Sequence, residues 1–276
     1  MNGPVLLTGA TGFVGRQLYR LALQRNMEVR LVLRRNDGPG ADVVGDAAVS
    51  VVYTDDLFQE SGQWWREACD GVDTVIHPAW FAAPGEYLHS PLNVECLEGT
   101  LRFAKGAQAA GVRRFVGIGS CLEYDVSCGE LGSDTPLLPA SVYAGCKAAT
   151  YLALSTFFDQ MGVEFLWCRL FYLYGEGEDE RRLVPYLRKQ FSLGKSAVIR
   201  NSGLVRDYLD VAVAGEMIMD AADSDLTGAI NVCSGKATSI GELAESIASE
   251  YQCRELLQFA PPLPDSVEPP VIVGKR

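Results

Sequence analysis

Apolar residues along the chain gather in short, nearly unalternating runs separated by helix-length stretches of mixed polarity. Pro4–Thr8, Glu28–Leu33, Ser50–Tyr53, Asp73–His77, Arg114–Ile118 and Val163–Leu170 read as strands, being rich in aliphatic and β-branched residues and short for helices. A strand with one wet face alternates apolar and polar residues. These do not, so both of their faces are covered. Strand and helix in repetition give right-handed crossovers, and the expected fold class is α/β with a doubly wound parallel sheet.

The first domain is expected over residues 1–174. Beyond Gly175 come a charged helix entry (Glu176–Arg182), the stretch Arg200–Asp210 and an Ala-rich helix through Met219. They point to a smaller mixed α/β C-terminal lobe over residues 175–276, with some segments returning to the first domain. The Pro-rich stretch Ala260–Pro270 reads as connecting chain, so a final helix of that lobe is expected only beyond Arg276.

Composition narrows the function classes. At 276 residues and 48% hydrophobic content the chain can build a substantial core. Its apolar runs, such as Val5–Leu7 and Val211–Val213, are far shorter than the ~20 residues a membrane helix needs. Met1-Asn2-Gly3-Pro4 lacks the basic flank and long apolar core of a secretion signal, so the expectation is cytoplasmic. The formal charge of −11 argues against nucleic-acid or anionic-membrane partners, which bind net positive faces. Eight scattered cysteines with no CxxC pair read as reduced thiols, and no metal site is expected.

The first strand runs into Thr8-Gly9-Ala10-Thr11-Gly12-Phe13-Val14-Gly15, and a helical segment, Arg16–Arg25, follows. Glycines there permit positive φ and let backbone approach a pyrophosphate, while the helix start offers unpaired N–H groups. Gly9, Thr11, Gly12, Phe13, Val14 and Gly15 are the cofactor-binding candidates; a tight turn without ligand is the alternative. The strand-before, helix-after setting favours the ligand. Where an acidic residue would bind the ribose diol of NAD, the second strand ends in Leu33-Arg34-Arg35. Two guanidinium groups fork onto a 2′-phosphate, so NADP(H) is favoured over NAD(H), a solvated basic loop end being the other reading. Asp56 and Leu57, after the third strand, are placed to meet the adenine edge; Asp56 reads nearly as well as a helix cap.

Tyr143-Ala144-Gly145-Cys146-Lys147 opens a helical segment, and its four-residue spacing puts phenol and ammonium on one helix face. The ammonium is expected to lower the phenol toward neutrality, where it gives or takes a proton. Ser120 ends the strand one crossover earlier and would hydrogen-bond a substrate oxygen. Trp80 and Phe81 read as pocket walls or equally as core aromatics, and Cys121 as a small hydrophobe near substrate. His77 reads as a packed strand-end residue, His89 is likewise discounted as a base, and Glu123 reads as structural.

With these residues in view, Gly9-Ala10-Thr11-Gly12-Phe13-Val14-Gly15, Ser120, Tyr143 with Lys147, and Arg206-Asp207-Tyr208 resemble the extended short-chain dehydrogenases/reductases over nearly the whole chain. Gly119-Ser120-Cys121-Leu122-Glu123-Tyr124-Asp125 and Arg169-Leu170-Phe171-Tyr172-Leu173-Tyr174-Gly175 are most similar to the nucleotide-sugar epimerase/reductase branch. The resemblance implies a Rossmann domain with a substrate lobe, and Ser120, Tyr143 and Lys147 as catalytic residues. It also implies that Tyr143 and Lys147 touch the cofactor, Lys147 at the nicotinamide ribose, and that Arg206 meets the diphosphate of a sugar nucleotide. For Arg206 an ordinary surface charge is the other reading. Cys121, Trp80 and Phe171 complete the substrate-binding candidates. A homodimer through helices starting near Pro91 and Ser141 follows from the resemblance alone.

Two departures matter. Family members commonly carry Asn where this chain has Cys96, with Asn93 one turn earlier. Cys121-Leu122 stands where sugar-nucleotide 4,6-dehydratases carry Asp-Glu, so dehydration is not expected. The leading expectation is NADPH-dependent reduction of a keto group, at C4, of a nucleotide-linked 6-deoxy-keto sugar. A 4-epimerase with tightly bound NAD(P) and a non-catalytic NADP-sensing protein are the alternatives.

Overall fold

β1 (Val5–Thr8) is four consecutive buried residues, as a strand covered on both faces must be. The computed structural model describes residues 3–35, 48–261 and 268–276. After β1 come α1 (Phe13–Gln24), β2 (Val29–Arg34), β3 (Val49–Thr54), α2 (Gly62–Ala68), β4 (Thr74–His77), α3 (Leu92–Ala109) and β5 (Arg114–Ser120). Next are β6 (Glu130–Leu131), α4 (Val142–Met161), β7 (Glu164–Leu170), β8 (Tyr172–Tyr174), α5 (Leu183–Ser192), β9 (Ala197–Ile199), β10 (Val205–Arg206) and β11 (Tyr208–Asp210). The chain finishes with α6 (Val211–Ala222), β12 (Gly228–Val232), β13 (Thr238–Ser239), α7 (Ile240–Glu250), β14 (Leu257–Phe259) and β15 (Val271–Gly274).

A seven-stranded sheet in the order β12-β7-β5-β4-β1-β2-β3 carries the fold, and all of its pairings are parallel. This is the doubly wound Rossmann-like α/β arrangement. From β1 the chain winds outward to β2 and β3, then crosses back to β4 and continues the other way. The two windings part between β1 and β4, which opens a crevice at the C-terminal ends of the strands. Alternation along β1 feeds the two layers: Val5 and Leu7 pack with Leu18 and Tyr19 of α1 and Ala214 and Ile218 of α6. Leu6 faces the opposite layer, with Trp65 of α2, Phe103 of α3 and Phe158 of α4. Trp65 stacks on Phe103 at 3.7 Å between ring centroids, directly beside Gly106, where a Cβ would run into Trp65.

The smaller lobe has its own core, in which Leu187 and Phe191 of α5 meet Ala244 and Ile247 of α7. A four-stranded sheet, β13-β10-β15-β6, joins antiparallel and parallel pairs and draws in β6 from before residue 174. Traffic also runs the other way. After α5 the chain returns: α6 packs on α1, and β12 pairs with β7 in register from Gly228 opposite Leu166 to Val232 opposite Leu170. Among the described residues no helix is long and apolar enough to cross a membrane. The eight cysteines are free thiols, and no group of described residues could hold a metal ion.

Candidate active site

A cavity of about 1010 Å³ opens at the crevice. Its walls come from the C-terminal ends of successive strands: Gly9 after β1, Arg34 closing β2, Asp55 after β3, Pro78 after β4, Ser120 closing β5 and Leu170 closing β7. That is where an open parallel sheet places its ligand.

Gly9 sits at φ 60°, a left-handed conformation that costs a side chain strain, and its carbonyl accepts the Gly12 N–H at 3.0 Å. At Gly15 a Cβ would collide with the Gly9 carbonyl, so the turn and the first turn of α1 meet only because neither carries a side chain there. Gly12 caps α1 without a side chain, leaving the early N–H groups of the helix for an anion. Gly9, Thr11, Gly12, Phe13, Val14 and Gly15 all line the cavity. This cradle fits a dinucleotide pyrophosphate.

At the end of β2 the two arginines part. Arg34 lines the cavity, while Arg35 is turned to Asp55 at 3.2 Å on the exposed rim. Asp56 and Leu57 line the same wall; Asp56 caps no helix, its carboxylate accepting the Phe58 N–H at 2.9 Å within a turn, while Ser61 caps α2.

The strand end and a helix start bring the three candidate catalytic side chains to one cavity. Ser141 caps α4 by accepting the Ala144 N–H, which places Tyr143 and Lys147 on its first turns. Ser120, Tyr143 and Lys147 all line the cavity. The Lys147 ammonium donates to the Ile118 carbonyl at 2.6 Å and lies 3.8 Å from the centroid of the Trp80 ring. Burial lowers it to about 7, with Glu123 and Cys96 pulling the other way. Burial also pushes the Tyr143 phenol up, and nearby Tyr87, Glu123 and Cys121 add to that, against a hydrogen bond with Ser120.

The expectation drawn from the four-residue spacing is therefore corrected. Facing one side of a helix does not bring the ammonium to bear on the phenol: it is drawn to a carbonyl and an indole face, and burial dominates the phenol. At neutral pH Tyr143 holds its proton.

Trp80, Phe81, Cys121 and Phe171 line the cavity. Burial raises the Cys121 thiol to about 12, so it packs as a small apolar group. His77 is no base: it bonds Thr8 at 2.8 Å and Thr100 at 3.0 Å, and burial lowers it to about 3. Glu123 is buried and structural, accepting the Ser120 N–H at 2.7 Å and pairing with Arg169 at 2.8 Å. Arg206 lies off the cavity wall. Its guanidinium is buried, bonded to Glu268 and to the Val205 and Pro269 carbonyls, each at 2.9 Å.

Several wall residues escape a reading of motifs. Tyr87 stands edge-on to Tyr143 at 4.8 Å between ring centroids, and Arg181, Arg182 and Tyr172 line the cavity. The loop that carries Trp80 and Tyr87 is tied down by Asn93, which accepts the Trp80 indole N–H at 2.8 Å and donates to the Tyr87 and Ser90 carbonyls. Cys96 only receives the Phe81 N–H, so the helix support sits one turn before the position where the family's Asn is expected. Loops have no period to read; only polar residues beside Pro84 and Pro91 hinted at an ordered segment.

Known proteins share this fold. A dTDP-6-deoxy-L-talose 4-dehydrogenase (NAD(+)) of Aggregatibacter actinomycetemcomitans is 21% identical over 252 residues, covering 91% of each chain. The UDP-N-acetylglucosamine 4-epimerase of Methanobrevibacter ruminantium, solved with UDP-N-acetylmuramic acid, superposes with a TM-score of 0.87 at 20% identity, over 99% of this chain and 89% of that one. The UDP-glucose 4-epimerase of Thermus thermophilus, solved with NAD, gives 0.82 at 25% identity, over 99% and 90%. The family model described as the NAD dependent epimerase/dehydratase family matches residues 5–233, and with the glycine cradle and the Ser120, Tyr143 and Lys147 cluster inside that span, the chain belongs to this family.

Proposed function

We propose that the chain reduces a keto group, at C4, of a nucleotide-linked 6-deoxy-keto sugar with NADPH. One observation carries the reading: burial holds the Tyr143 phenol protonated beside the Ser120 hydroxyl on the cavity wall, as a proton donor to a carbonyl oxygen requires. A bound nicotinamide supplies the hydride. Ser120 and Tyr143 hydrogen-bond the substrate oxygen, and Tyr143 passes its proton as the oxygen gains negative charge. Lys147, in its charged form, hydrogen-bonds the nicotinamide ribose. Gly9, Gly12 and Gly15 hold the pyrophosphate, with Asp56 and Leu57 at the adenosine end. Arg34 there supports NADPH over NADH.

The relatives favour a second reading, a 4-epimerase holding its cofactor through a cycle of oxidation and re-reduction, since two structural neighbours bear that name. A purely sensing protein has no need for Ser120, Tyr143 and Lys147 on one wall. Enzyme, stoichiometric NADPH and a 4-keto-6-deoxy sugar nucleotide separate the two enzymatic readings. Reduction consumes NADPH mole for mole; transformation of the sugar at constant NADPH makes the chain an epimerase. The chain is further proposed to pair with a second copy through α3 and α4, whose outer surfaces expose Val94, Leu152 and Met161. Light scattering at 30.0 kDa rather than twice that mass would refute the pairing.

A further inference from the structure

Lys147 is buried, and a buried ammonium must find a replacement for the water it gives up. It donates to the Ile118 carbonyl of β5 at 2.6 Å, and among the described residues no carboxylate comes within ion-pair distance of it. Glu123, in the turn after β5, favours the charge from further off, but its oxygens are committed to Arg169, the Trp167 indole and the Ser120 N–H. The other titratable groups around Lys147 carry no charge at neutral pH. Burial pushes the Cys96 thiol of α3 up to about 11 and the His77 imidazole of β4 down to about 3, and Tyr143, one turn earlier on α4, keeps its proton.

What does sit on the ammonium is the face of an indole. The Trp80 ring centroid lies 3.8 Å from Nζ, and the Trp167 ring is further off at 5.8 Å. An aromatic face carries the negative part of the ring quadrupole, strongest in tryptophan, and its pull on a cation grows where water is excluded. Trp80 is not free to turn. Asn93, with no exposed surface, accepts its indole N–H at 2.8 Å, and Phe58 stands edge-on to it at 6.4 Å between ring centroids. Asn93 is fixed in turn by donating to the Tyr87 and Ser90 carbonyls. A line of contacts thus runs from α3 through the loop after β4 to the cation on α4.

We propose that Trp80 is a positioning residue whose ring face, aimed by Asn93, holds Lys147 in place as an ammonium against the Ile118 carbonyl. An apolar wall of the same size would exclude water equally well and return nothing to the charge. Burial brings Lys147 down to about 7, where its two forms are nearly balanced at neutral pH, so a contact that prefers the charged form decides which one the cavity holds. The consequence for turnover rests on the reading of Lys147 as the charged group at the nicotinamide ribose of a reductase; the contact itself does not.

NMR titration of the whole chain carrying isotope-labelled lysine reads the protonation of Lys147 without substrate or cofactor, and Lys147→Met identifies its signal. Trp80→Leu keeps an apolar wall and loses the ring face, and its midpoint is expected about one pH unit or more below the wild-type value. Trp80→Phe keeps a weaker face and falls between the two. Because truncation beside a cavity can disturb the fold, the wild-type chain grown with fluorinated tryptophan gives a second measure: the ring keeps its shape while its face is drained of negative charge. Its midpoint is also expected to fall, and to fall less in Trp80→Phe. With NADPH and a carbonyl substrate, the alkaline decline of kcat/KM moves down with the midpoint. A ring that only shields Lys147 from water would, once removed, leave the midpoint where it is or let it rise. Either result in Trp80→Leu, or no response to fluorination in the wild type, overturns the proposal. If the midpoint falls as expected while kcat/KM takes no notice of it, the proposal stands and the reductase reading of Lys147 falls.

Discussion

The Glu123 carboxylate, with no exposed surface, lies 2.8 Å from the Nε of an equally buried Arg169. Around the pair, Arg169 is held between the rings of Tyr124 and Tyr151, 4.5 Å from each centroid, and Glu123 also takes the Trp167 indole N–H. Because Glu123 accepts the Ser120 N–H as well, this ion pair is wired to the backbone of the cavity-lining Ser120. Replacing Glu123 by Ala leaves a buried guanidinium uncompensated, a loss of about 3–5 kcal/mol in urea unfolding. A loss below about 1 kcal/mol would show that water or a neighbour compensates Arg169 and that the pair does not anchor the turn.

Tyr143→Phe keeps the ring and removes the proton. NADPH binding by fluorescence titration is expected to persist while turnover drops by about 10²–10⁴. Turnover near wild type would remove Tyr143 from the chemistry. Loss of NADPH binding would instead show that the hydroxyl holds the cofactor.

Lys147 gives a pH signature whose sign is fixed by its lowered value. Its folded value is about 7, against an ordinary lysine near 10.4, so between those limits the unfolded chain carries a proton that the folded chain lacks. Stability from this group therefore rises with pH across that window and is level on either side of it. Lys147→Met removes the penalty, so its stability relative to wild type is expected to be greatest below pH 7 and to decline as pH rises toward 10. A difference that stays flat or grows with pH contradicts the buried ammonium. On the proposed mechanism the charged form is the useful one, so kcat/KM for the carbonyl substrate is expected to fall above about 7. Glu123→Gln moves that fall to lower pH, because Glu123 supports the ammonium.

Much of this was legible in the sequence wherever local chemistry and fold agree. The six strands read from apolar runs all occur, because a strand buried on both faces advertises itself. Gly228–Val232 escapes such a reading: it begins Gly-Ala and owes its place to pairing with β7, a non-local fact. The glycine turn, Ser120, Tyr143 and Lys147 could be picked out and all line one cavity, because spacing and strand-end position fix where they lie. The proton balance between Tyr143 and Lys147 was not, because it depends on burial and on the Ile118 carbonyl and Trp80 ring, which lie far away in sequence. Arg182 and Arg206 show the same limit from the other side. Sequence displays both guanidinium groups alike, and only the fold reveals that one is tied to Glu268 while the other faces the cavity.

On the proposed reading, cofactor choice turns on Arg34. Named relatives carry NAD in their descriptions, yet at the end of β2 this chain offers a guanidinium to the cavity, where NAD recognition calls for a carboxylate. Arg34 lines the cavity while Arg35 turns to Asp55 at the exposed rim, so Arg34 is the arginine proposed to meet a 2′-phosphate. Fluorescence titration of the wild type is expected to give tighter binding of NADPH than of NADH. Arg34→Glu sets a carboxylate against the phosphate and in place to bind the ribose diol, so NADPH affinity falls by about tenfold or more while NADH affinity holds or improves. Arg35→Glu, one residue along, has the smaller effect. Equal affinities for the two nucleotides in the wild type, or an unchanged ratio in Arg34→Glu, would show that Arg34 does not read the phosphate and that the chain uses NAD as its named relatives do.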